Sequence, residues 1–81
     1  MNVTVIFFAA HRKAVGEHRI DMDVETGATV EDLLDMLVRR YPGLRELRPT
    51  TIVSCNHRVA DGNEKLEDGD EVALLSPVGG G

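Results

Sequence analysis

The residues best suited to chemistry stand together at the end of the chain, where Ser76-Pro77-Val78 leads into Gly79-Gly80-Gly81. Three glycines make a length of bare main chain that can enter a channel too narrow for any Cβ, and glycine reaches backbone angles closed to other residues. The chain is read as stopping at Gly81, which leaves a free carboxylate available for activation. Pro77 fixes its own φ and biases Ser76 towards extended geometry, so the tail is expected to leave the domain stiffly and loosen at its tip. Glycine-rich ends are commonly idle termini. Here they follow an apolar strand and a proline with no polar linker between, which favours a working tip. The expected division is a domain over 1–75 and an extended tail over 76–81.

No other group in the chain competes with that carboxylate. Cys55 is the single cysteine, which excludes an internal disulfide framework and a four-cysteine metal or iron–sulfur site. At the end of a short β-rich run it reads as a buried small apolar residue rather than a nucleophile. His11, His18 and His57 are scattered without metal-ligand spacing. Arg12 reads as a surface residue and is assigned no catalytic role. Asp61, Glu64, Glu67, Asp68, Asp70 and Glu71 form an acidic run opposed in sequence only by Lys65. Beside the tail, such a run could steer a basic partner and speed encounter.

These groups need a scaffold, and 81 residues are enough for one small domain. A domain of this size buries only about 60–65% of the surface its unfolded chain exposes, so its core is modest. Fourteen acids against nine Lys/Arg give a net charge of −5, which argues against nucleic acid and anionic membranes as partners. No basic segment precedes a long apolar stretch and no run could span a bilayer, so a cytoplasmic protein is expected.

Val3, Val5 and Phe7 alternate over residues 2–8 and predict a strand, with Ile6 and Phe8 on the opposite face. Residues 9–15 suit a short helix stopped by Gly16. Ile20, Met22 and Val24 alternate with Arg19, Asp21 and Asp23 in a second strand over 17–25. Thr29 is an N-cap candidate with Asp32 in the capping-box position. Val30, Leu33, Leu34, Leu37, Val38 and Tyr41 then recur at helical spacing, the strongest periodicity in the chain. Pro42-Gly43 ends that helix, and residues 44–50 read as a basic loop or short turn. Residues 51–55 form a third strand, Asn56-His57 a turn, Arg58-Val59 a short edge strand and residues 71–75 the last strand. Val72 and Leu74 share one face of it, Ala73 and Leu75 the other. Two strands, a helix, then more strands indicate an α+β fold. The expected architecture is a β-grasp, or ubiquitin-like, roll: a mixed sheet of four to five strands packed on one main helix. Strand phase puts Phe8 and Leu75 off the core face, where with Val59 they could form an apolar patch near the root of the tail.

The opening Ile6-Phe7-Phe8-Ala9 with Arg12 and Gly16 resembles the small subunit of molybdopterin synthase, the MoaD-type members of the MoaD/ThiS sulfur carriers. So do Thr29-Val30-Glu31-Asp32-Leu33, the run from Leu66 through Asp68-Gly69-Asp70-Glu71-Val72-Ala73, and the ending Pro77-Val78-x-Gly80-Gly81. The likeness spans nearly the whole chain. Ser76 stands where the family often has a first proline, and Leu74 and Leu75 where it often has aromatics.

The resemblance implies a carrier and non-catalytic subunit rather than an enzyme. An E1-like adenylating enzyme (MoeB-type) would use ATP to turn the Gly81 carboxylate into an acyl-adenylate. Sulfur from a donor such as a cysteine desulfurase would displace AMP and leave a thiocarboxylate. The large catalytic subunit (MoaE-type) would then receive the tail of Gly79, Gly80 and Gly81, with Phe8, Val59, Leu75, Pro77 and Val78 as partner contacts. The resemblance implies no bound cofactor and no metal. Two alternatives use the same fold: a protein modifier joined through Gly81 to lysine, or a carrier for another thiolation pathway such as tRNA or thiazole. A third is a plain binding module with an inert tail.

Overall fold

The computed structural model describes residues 1–77. Strand β1 (Asn2–Phe7) is followed by helix α1 (Ala9–Val15), β2 (Arg19–Asp23), helix α2 (Val30–Arg40), β3 (Ile52–Cys55), β4 (Arg58–Ala60) and β5 (Glu71–Leu75). Two 3₁₀ turns follow α2: Pro42–Leu44 at its end, and Arg48–Thr50 within the stretch expected to be a basic loop or short turn. The strands form one mixed sheet in the order β2-β1-β5-β3-β4. β5 lies parallel to β1, and the other pairs are antiparallel. This is the β-grasp arrangement, with five strands.

The sheet has one buried face, and the alternation in sequence decides which residues lie on it. Val3, Val5 and Phe7 from β1, Val72 and Leu74 from β5, and Val53 and Cys55 from β3 meet Val30, Leu33 and Leu37 of α2. Leu44 and Leu66 complete this core from irregular segments that carry no periodic signal. Tyr41 closes the end of α2 edge-on to Phe7, with ring centroids 6.1 Å apart.

Helix α2 starts where its cap says it should. Thr29 Oγ1 accepts the Asp32 N–H at 3.2 Å, and Asp32 Oδ2 accepts the Thr29 N–H at 3.0 Å. The next exposed donors are met by the loop before β5: Val30 N–H donates to Glu64 O and Glu31 N–H to Gly62 O. The acidic loop thereby stitches the helix start to the sheet and satisfies donors that a helix N-terminus otherwise leaves open. Asn56 and His57 both take positive φ, 52° and 69°, as a two-residue turn between β3 and β4 requires. Gly16 ends α1 at φ 83°, a left-handed conformation that a Cβ would disfavour. No helix among the described residues is long and apolar enough to cross a membrane.

Candidate functional site

Strand register brings one row of residues across the open face of the sheet. Ile6 pairs with Arg19 on one side and Ala73 on the other, Ala73 pairs with Ser54, and Ser54 with Val59. One step towards the tail, Leu75 pairs with Ile52, and the Phe8 N–H donates to Leu74 O at 3.3 Å. Ile6, Phe8, Ala73 and Leu75 therefore adjoin, and with Ser54, His57 and Glu71 they line a shallow depression of about 310 Å³. Its floor is apolar. Its polar rim is Glu71, with His57 Nε2 at 3.6 Å and Arg19 at 4.0 Å.

Phe8 and Val59 are the exposed large apolar residues, at 38% and 72%. Phe8 stands edge-on to His18, with ring centroids 6.4 Å apart. Leu75 is half-buried. The expected trio lies on one face, but it is not one contiguous patch. Val59 is on the far edge strand, two strands from Ala73 and hence about 10 Å away. It lines a separate groove of about 410 Å³ with Leu34, Arg48 and Ile52. Ile6 and Ala73 fill the centre that Val59 was expected to share, and only the parallel β1–β5 register shows that they meet. Beyond β5, Ser76 is half-buried and Pro77 exposed. Val78, Gly79, Gly80 and Gly81 lie outside the described residues.

The acidic run does not lie beside the tail. Its residues 67–70 precede β5, so they sit at the opposite end of a five-residue strand, roughly 17 Å from the tail root. Much of the run serves the fold. Asp68 Oδ1 accepts the Asn2 N–H at 2.7 Å. Asp70 accepts the Glu67 N–H at 2.8 Å and the Asn56 side-chain amide at 2.9 Å. Burial alone would push the Asp70 carboxyl up, but those hydrogen bonds hold it below the usual carboxylate range. Glu64 is held by both arms of Arg58, at 2.9 and 3.1 Å. Arg58 therefore opposes the run as well as Lys65, a pairing made by the β4 turn and invisible in the linear order.

Cys55 is 3% exposed. Burial, then the Asp70 carboxylate beside it, pushes its thiol up to about 11, so it stays protonated and inert near neutral pH. No group of three or more His, Cys, Asp or Glu among the described residues is placed to hold a metal. Arg12 is exposed on α1. His11, which its sequence neighbours left unremarkable, is instead buried in the core at 1% exposure.

Residues 5–81 match the ThiS family. The chain belongs to the ThiS family. The molybdopterin synthase sulfur carrier subunit of Drosophila erecta is 38% identical over 84 residues, covering all of this chain and 92% of the relative. Among solved structures, small archaeal modifier protein 1 of Haloferax volcanii is 31% identical with a TM-score of 0.89, each chain fully covered. Subunit 1 in the complex of subunits 1 and 2 of the molybdopterin-converting factor from Helicobacter pylori is 28% identical with a TM-score of 0.72, again with full coverage. For this ThiS-family chain, the likeness thus runs through the open face, the tail root and the glycines together.

Proposed function

We propose that this chain is a sulfur carrier, the small non-catalytic subunit of a molybdopterin synthase. The observation that carries the reading is the full-length likeness to sulfur carrier subunits of that synthase, through Gly81, in a chain whose apolar face adjoins the root of the tail. A carboxylate is a poor electrophile at neutral pH. The Gly81 carboxylate would attack the α-phosphorus of ATP in an E1-like partner, releasing pyrophosphate and forming the acyl-adenylate. A persulfide from a donor such as a cysteine desulfurase would displace AMP to give an acyl disulfide, and a second thiol of the donor system would cleave its S–S bond, leaving the thiocarboxylate on Gly81 and a disulfide on the donor. The thiocarboxylate sulfur is a softer nucleophile than the oxygen it replaces. In the large subunit that sulfur would attack a pterin precursor, and water would hydrolyse the resulting thioester, leaving the sulfur on the pterin and restoring the Gly81 carboxylate. This chain would supply the docking face and the cargo. Phe8, Leu75 and Pro77 would contact the partner near the tail, Val59 would contact it at the edge strand, and Val78 to Gly81 would enter it.

Intact-mass measurement of protein purified from its native host tests the reading. One sulfur-for-oxygen exchange confined to the C-terminal peptide is expected, and is expected to vanish when Gly81 is deleted. Its persistent absence from cells making the cofactor would overturn the proposal. The likeness to an archaeal modifier protein favours one second reading, transfer of the same activated acyl group to a lysine amine. Isopeptide-linked peptides ending in this chain's glycines would establish it.

A further inference from the structure

We propose that His11 is an acid-sensitive latch that fastens α1, and with it Phe8 on the open face, to the segment leading into β3. The ring of His11 is 1% exposed. Its Nε2 lies 2.7 Å from Thr51 Oγ1, and Thr51 Oγ1 donates its own proton to Leu47 O at 2.8 Å. A hydroxyl has one proton to give, so Nε2 carries the hydrogen and Thr51 accepts it. The neutral ring then has a bare Nδ1, and that atom is buried without a partner.

Protonation puts a new N–H on Nδ1 where no acceptor waits, together with a positive charge in the core. The void beside the ring measures about 10 Å³, at the lower limit for a single water, so bulk solvent does not reach the cation. The surrounding elements offer no counter-charge. Helix α2 contributes Leu34, Leu37 and Val38; the first 3₁₀ turn contributes Leu44; β5 contributes Leu74; residues 48–51 contribute Arg48 and Thr51. Arg48 is itself a cation, and the carboxylates it pairs with are Asp35 and Glu31; no carboxylate lines the void beside the ring. On α1, Arg12 and Lys13 are exposed and also positive. Burial accordingly lowers the His11 pKa below its ordinary value.

Helix α1 depends on this fastening. It has seven residues and no side-chain N-cap, too few to be stable alone. Its first residue, Ala9, is held at φ 45°, which a Cβ disfavours. The Phe8 carbonyl accepts the His11 N–H at 2.9 Å, so release of α1 frees the main chain that positions Phe8.

Because the folded-state pKa is depressed, the latched form is favoured fully above the ordinary histidine value near 6.5. It is lost as pH falls from there towards the lowered pKa, about tenfold in the closed-to-open ratio per pH unit. The test is amide hydrogen exchange by NMR on the full chain from pH 8 to pH 5, corrected for intrinsic rates, with the three histidine rings titrated in parallel. We expect His11 to titrate below the ordinary histidine value. Protection at His11, Arg12 and Gly16 should be level above about pH 6.5 and fall about tenfold per unit below it, while Val5 and Val72 hold theirs. His11→Gln, which keeps a donor for Thr51 but cannot titrate, should flatten the profile; if it does not fold, the wild-type titration decides alone. Titration of His11 at or above the ordinary histidine value, parallel loss of protection in α1 and the central strands, or an unchanged slope in His11→Gln would each overturn the latch. No partner enters this measurement, so its outcome is independent of the sulfur-carrier reading.

Discussion

On the proposed sulfur-carrier reading, replacing Ala73 with Arg should sharply weaken docking to a molybdopterin synthase large subunit while leaving the fold intact. Ala73 sits on the middle strand of the sheet, with Ile6 and Ser54 directly beside it at roughly one strand spacing, about 5 Å. Its side chain points to the open face, since neighbours Val72 and Leu74 take the core face. An arginine there would lie across the depression lined by Ile6, Phe8 and Leu75. In the free chain its guanidinium stays in water or approaches Glu71 two residues away, so the change in stability should be within about 0.5 kcal/mol. In a docked complex it must be desolvated over an apolar floor or force the surfaces apart, at about 2–4 kcal/mol. That corresponds to binding weaker by about 30- to 1000-fold. Calorimetric titration of the purified large subunit with wild type, Ala73→Arg and Glu46→Lys measures it. Glu46 lies off the sheet, between the two 3₁₀ turns, so its variant should bind as wild type does. Urea unfolding of all three chains checks the fold. Binding by folded Ala73→Arg within about threefold of wild type would refute the assignment of this face.

Two further outcomes test the scaffold. Thr29→Ala and Asp32→Ala should each lower unfolding stability by about 1 kcal/mol, and the double variant should lose less than the sum, because each bond of the capping box holds the geometry of the other. Strict additivity in urea unfolding would show the two bonds to be independent. With its thiol pushed up from 9.0 to about 11, Cys55 at pH 8 should be alkylated at least about 100-fold more slowly in the folded chain than in urea; similar rates would show that the site is open.

What could be read from sequence was whatever depends on short-range order. Alternation over β1 and β2, the stripe on α2, its capping box and the Asn56-His57 turn are each set by residues within a few positions, and each stands where expected. The open face depends on register between segments 67 residues apart: nothing local says that Ile6 meets Ala73, or that Val59 stands two strands away from it. Leu44 and Leu66 enter the core from stretches without period. His11 offered no signal because its partners, Thr51 and Leu44, come from a segment 30 to 40 residues on. The acidic run misled for a related reason. Composition records its charge, whereas its position follows from the direction of β5, and its pairing with Arg58 from the turn before it.

The parallel pairing of β1 with β5 makes one face and one tail into a single device. Two parallel strands end at the same pole, so Phe8 and Leu75 come out side by side. An antiparallel pair would have set Phe8 against Glu71, a strand's length from the tail root. β5 is also bonded along both edges, to β1 and to β3, so the direction in which the chain leaves Leu75 is held by ladders on two sides. Six residues follow Leu75 and span at most about 22 Å when extended. One side of a standard protein interface covers about 800 Å², a disc of roughly 16 Å radius. On the sulfur-carrier reading, a Gly81 tip of that reach would cross the footprint of a partner seated on the open face. Docking and delivery of Gly81 into the same partner would then require no rearrangement of the sheet, and on that reading a substitution that blocks the face should silence the tip without touching it.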